Sequence, residues 1–94
     1  METRTANIYL DENNVLHIVM LKGVRLDYED AVDNALVIKS FTKGKKTLKL
    51  IDARVNFSMD KKAREFVNSI DIKQTIARAV VKKGTLSALI LRFF

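Results

Sequence analysis

Apolar runs alternate with apolar stripes along this chain. Residues 5–10 (TANIYL) form a short run, residues 11–14 (DENN) a polar turn cluster, and residues 15–21 (VLHIVML) a second run broken only by His17. Two runs of this kind around a compact turn predict an antiparallel β-hairpin. Residues 22–26 interrupt the pattern. Asp27 then has the character of a helix N-cap, because Glu29, Asp30 and Asp33 follow where the positive end of a helix dipole favours carboxylates. Tyr28, Ala31, Val32, Ala35 and Leu36 recur at three- and four-residue spacing as one apolar stripe, with an end near Thr42 and Gly44 as the stop.

Residues 46–52 (KTLKLID) predict a strand whose continuous apolar end suits coverage on both faces. Ser58 reads as the N-cap of a second helix, with Ala63, Phe66, Val67 and Ile70 as its stripe. Residues 76–81 predict a third inner strand, and a last helix starting at Gly84 or Thr85 would carry Leu86, Leu89, Ile90 and Phe93. The order is therefore β-β-α-β-α-β-α. Strands alternating with helices imply an α/β fold with a mixed, mostly parallel sheet and right-handed crossovers, opened by the N-terminal hairpin.

The closing ALILRFF has no cap and no polar tail. An exposed apolar terminus is an association liability. The expectation is a chain cut short at this end, or one whose end a second copy covers. Leu86, Leu89, Ile90, Phe93 and Phe94 are the candidate association surface.

Composition narrows the function classes. Ninety-four residues make one domain, and a chain of that length is marginal on its own core. The absence of cysteine excludes disulfides and thiolate metal sites, and a single histidine argues against a histidine-based one, so no metal and no cofactor is expected. The start, Met1-Glu2-Thr3-Arg4, is unlike a signal peptide, and no apolar stretch approaches a membrane span, so a cytoplasmic protein is expected. The net charge is +6, split as −4 over residues 1–37 and +10 over residues 38–94. Lys43, Lys45, Lys46 and Lys49 form a basic cluster, but no aromatic interleaving or reading helix accompanies them, so a solvated face is expected rather than a nucleic-acid surface.

The segments DENNVLHIVMLKGVRLDYEDAVD, LKLIDARVNFSMDKKAREF and ARAVVKKGTLSALILRFF together resemble a group of small bacterial proteins in the SpoIIAA-like superfamily, which includes the STAS (anti-sigma-factor antagonist) domains. The shared features are the hairpin, the acidic helix start, Asp-x-Arg at a strand end, Ala-Arg-Glu in the following helix and the Phe-Phe. The resemblance implies one SpoIIAA/STAS-like domain over residues 1–94, lacking a further C-terminal strand and helix that group members carry. It also implies a regulatory domain acting through protein partners. In STAS regulators a phosphorylatable serine directly follows the strand-end aspartate. Here Ala53 follows Asp52, and Ser58 is the nearest hydroxyl.

Asp52 and Arg54 stand at the carboxyl end of an inner strand, the rim where open α/β sheets bind ligands. With Ser58 and Arg64 they are the candidate ligand or partner site; the plainer reading makes Asp52 and Arg54 an internal pair. His17 has no neighbours at triad spacing and reads as a packed side chain. No general base and electrophile assemble from this inventory, so the expected function is association, with a protein partner or a second copy, rather than chemistry. The alternative is binding of an anionic or lipid-like small molecule.

Overall fold

The DENN cluster closes a hairpin. In the computed structural model, which describes residues 1–82 and the backbone of residues 88–92, β1 (Ala6–Leu10) and β2 (Val15–Met20) pair antiparallel from Ala6–Met20 to Leu10–Leu16. Asp11 Oδ1 accepts from the backbone N–H groups of Asn13 (2.8 Å) and Val15 (3.0 Å). Asn14 takes the left-handed conformation at φ 61°, which asparagine tolerates better than most residues.

A two-residue strand, β3 (Arg25–Leu26), leads into α1 (Tyr28–Thr42). Asp27 is its N-cap, as the sequence predicts. Its side chain accepts from the Asp30 N–H (2.8 Å), and Asp30 accepts in return from the Asp27 N–H (3.0 Å), a reciprocal capping box. The helix ends at Lys43 in the left-handed conformation, followed by Gly44 at φ 78°. The rest of the chain forms β4 (Thr47–Ala53), β5 (Ser58–Met59), α2 (Lys61–Gln74), β6 (Thr75–Lys82) and β7 (Ala88–Arg92).

Five strands make one mixed sheet in the order β1-β2-β4-β6-β7. The two inner pairings, β2–β4 and β4–β6, are parallel; the two outer ones are antiparallel. Residues 88–92 are thus a strand hydrogen-bonded to β6, where the sequence predicts a helix. The i, i+3, i+4 spacing of Leu86, Leu89, Ile90 and Phe93 misleads, because a short apolar run fits either period. Leu86, Phe93 and Phe94 lie outside the described residues, as do the side chains of Leu89 and Ile90.

Both crossovers, β2-α1-β4 and β4-α2-β6, step the same way across the sheet. Right-handed connections that never reverse direction place their helices on one face. Accordingly α1 and α2 pack against each other, with Tyr28 and Phe66 in an edge-to-face contact at 5.4 Å. Among the described residues the sheet is therefore covered on one side only, and the coverage on both faces suggested by residues 46–52 is not found there. The core is one layer deep: Ile8, Leu16, Met20, Leu26, Ala31, Ile38 and Ala63 are buried in it. Leu36, part of the predicted stripe, is 61% exposed, and Asn34 takes the core-facing place instead.

Candidate functional site

The rim beyond the carboxyl ends of β2 and β4 is closed. β3 and β5 pair parallel across it, tying together the two segments that precede the helices. The ladder continues outward: Gly23 N–H donates to Asn56 O (2.7 Å), Ser58 N–H to Val24 O (3.0 Å) and Asp60 N–H to Leu26 O (3.1 Å). This pairing corrects the reading of Ser58. It is an exposed strand residue, and the N-cap of α2 is Asp60, whose Oδ1 accepts from the Ala63 N–H at 2.9 Å. A sheet whose strand order never reverses also has no switch-point crevice at this rim.

Asp52 and Arg54 meet each other directly. Arg54 donates from Nε to Asp52 Oδ1 (2.9 Å) and from Nη2 to Oδ2 (2.8 Å), a two-point fork. The guanidinium holds the Asp52 carboxyl below the usual carboxylate range against the opposing effect of partial burial. Arg64 does not join them. Its nearest hydrogen-bond contact is the Met59 carbonyl at 3.5 Å, too long to hold it firmly. The four residues singled out in the sequence therefore form one close pair and two separate side chains.

The pair has neighbours that the sequence did not suggest. Asp52 and Arg54 line a cleft of about 250 Å³ on the uncovered face of the sheet, with Tyr9, His17, Val19, Leu50 and Val81. The register explains the grouping, since Tyr9 pairs with His17, His17 with Leu50, Val19 with Asp52 and Asp52 with Val81. The Tyr9 and His17 rings stack at 4.6 Å, and His17 Nε2 lies 2.8 Å from Asp11 Oδ2. His17 chiefly, with the Val15 N–H, lowers the Asp11 carboxyl below its ordinary value.

Lys49 departs furthest from its sequence reading. It leaves the basic cluster and points into the protein, 3% exposed, where Nζ meets Asp71 Oδ1 at 2.8 Å. Arg78 Nη1 donates to Asp71 Oδ2 (2.5 Å) and Thr75 Oγ1 to Asp71 Oδ1 (3.3 Å). Lys49 and Asp71 also touch a cavity of about 100 Å³ between the helices and the sheet, beside Asn34. Lys43, Lys45 and Lys46 remain at the surface, around a larger groove at the opposite end of the sheet. The period of residues 46–52 puts Lys49 on the same face as Ile51; that was the signal available for Lys49, and only its pairing with Asp71 could not be read.

Among the described residues, no three His, Cys, Asp or Glu side chains gather as a metal site, and no helix is long and apolar enough to cross a membrane. No curated protein and no solved structure matches the chain. Residues 8–94 match a family described as a domain of unknown function, DUF7793, and by that match over most of its length the chain belongs to that family.

Proposed function

We propose that this chain is a non-enzymatic, regulatory interaction domain of the SpoIIAA/STAS-like kind, which acts by presenting the uncovered face of its sheet to a protein surface, in the first instance that of a second copy. The observation that carries this reading is the placement of both helices on one side of the sheet. Tyr9, 40% exposed, and the half-buried Val19, Leu50 and Val81 are left facing outward. A small one-layer core gains most from a third layer, and two sheets packed face to face bury such residues at about 10 Å separation.

A second copy suits this face because the face carries both signs of charge. Asp52 with Arg54 gives a two-fold axis opposite partners from the same patch. The resemblance to STAS regulators supports association as the mode of action. Phosphate at a helix start has less support, since Ser58 sits in β5 and Asp60 caps α2.

Light scattering from micromolar to sub-millimolar concentration tests the reading. A dimer is expected, and Leu50→Asp is expected to give a monomer with unchanged helix content by circular dichroism. A wild-type chain that stays monomeric across that range refutes self-association through this face.

A further inference from the structure

At the end of the sheet away from Arg54, between the C-terminus of α1 and the start of β4, the surface opens into a groove of about 500 Å³. This is within the size range of small-molecule sites. Leu10, Phe41, Leu48 and Ile76 supply its apolar surface, with Leu48 45% and Ile76 49% exposed. Ile76 stands there because β6 bulges. Thr75 pairs with Thr47 and Ala77 with Leu48, so Ile76 is left without an opposite residue and its side chain is re-aimed.

Lys43, Lys45 and Lys46 also line the groove, and among its described lining residues none is acidic. Thr42, 7% exposed, and Thr47 line it as well. Among the described residues, the buried Oγ1 atoms of both have no hydrogen-bond partner. Buried hydroxyls are normally paired, and one left unpaired is destabilising. The negative end of α1 accounts for basic residues nearby. It does not account for exposed Leu48 and Ile76 beside them, nor for two unpaired hydroxyls.

We infer that this groove binds a small amphipathic anion, with an alkyl or aryl group on Leu10, Phe41, Leu48 and Ile76 and a carboxylate among the three lysines and the two threonine hydroxyls. Lysines give the head group charge without fixed geometry, and the Thr42 and Thr47 Oγ1–H donors, buried as they stand, give it direction once a side-chain rotation turns them into the groove. The apolar surface selects against bare inorganic anions. The site is separate from the sheet-face cleft of Asp52 and Arg54, and it stands or falls independently of self-association.

Calorimetric titration with decanoate, hexanoate and decanol, each below its micelle-forming concentration, tests the assignment, with amide shift mapping for location. Decanoate is expected to bind and to shift Thr47, Leu48 and Ile76. Hexanoate, four methylenes shorter, is expected to bind about a hundredfold or more weakly, since each buried methylene contributes about a fourfold factor. Lys45→Gln/Lys46→Gln, at exposed positions, is expected to weaken decanoate about tenfold while leaving decanol unchanged. Flotation with phosphatidylglycerol vesicles separates a free amphiphile from a membrane lipid as the source: no capture is expected, and capture without decanoate binding overturns the inference. So does an absence of decanoate binding, decanol binding as tightly as decanoate, wild-type affinity in the double variant, or shifts confined to the cavity beside Asn34.

Discussion

Lys49 Nζ lies 2.8 Å from Asp71 Oδ1 with 1% and 5% of the two side chains exposed, an ion pair sealed between the middle strand of the sheet and the end of α2. Asp71 also accepts from Arg78 on β6 and from Thr75, so one carboxylate ties β4, α2 and β6 together. Removing one member of a buried ionic group leaves charge without compensation, whereas the intact group adds little beyond a well-packed apolar replacement.

The two halves of that pair are therefore unequal. Asp71→Asn strands Lys49 and is expected to destabilise by about 3–5 kcal/mol. Lys49→Met keeps Asp71 paired with Arg78 and Thr75, and a loss below about 2 kcal/mol is expected. Urea midpoints at constant m measure both. Equal losses in the two variants would mean that Asp71 depends on Lys49 rather than on the whole group.

The N-terminus of α2 offers a sharper contrast. Asp60→Ala removes the side chain that accepts from Ala63 N–H, and a loss of about 1 kcal/mol is expected. Ser58→Ala changes an exposed position in β5 and is expected to stay within about 0.5 kcal/mol. Thermal melts of the two variants decide between the caps: the reverse ranking restores Ser58 to the helix start.

The fold was more legible than the site, and particular residues show why. Asp27, the DENN turn and the stripe Ala63, Phe66, Val67, Ile70 are local signals, complete within a few residues of chain, and each stands where the sequence puts it. Ser58 failed because its role is set by Arg25 and Leu26, which are distant in sequence and form a strand of only two residues. Asp71 and Asn34 carried no local signal, because burial of a polar side chain depends on partners on other elements: Lys49 and Arg78 for one, Thr5 for the other. The uncovered face followed from strand order, which the pattern of apolar residues alone does not fix. Asp-x-Arg at a strand end was readable, and its plainer interpretation as an internal pair describes the contact that Asp52 and Arg54 make.

Arg54→Ala separates stability from association. The guanidinium is largely exposed and its fork with Asp52 contributes little to folding, so the melting temperature is expected to move by no more than a degree or two. If the sheet face is the working surface, the same variant weakens the dimer by about threefold to tenfold, more at low salt than at high salt. Sedimentation equilibrium at two ionic strengths reads this out. A large loss of stability instead would place the pair in the service of the fold.

Acid stability is governed in part by Asp30. Arg4 bonds its carboxylate from Nε at 2.8 Å and from Nη2, and the Asp27 N–H donates to it as well. These bonds, Arg4 foremost, lower the carboxyl from its ordinary value of 3.8 to about 2. The folded chain then binds fewer protons at this group than the unfolded chain does. Its contribution is complete above the unfolded value and is lost as pH falls from about 4 to about 2. Asp11 and Asp52 are lowered in the same direction and add to the same slope. Because Arg4 is 60% exposed and screened by water, Asp30 is assigned about 1 kcal/mol rather than the full shift. Asp30→Asn keeps an acceptor for the Asp27 N–H while removing the charge. It is expected to lower stability at neutral pH by about that amount and to leave a shallower fall between pH 4 and 2 in urea titrations. An acid limb with the wild-type slope in Asp30→Asn would show that the proton uptake occurs elsewhere.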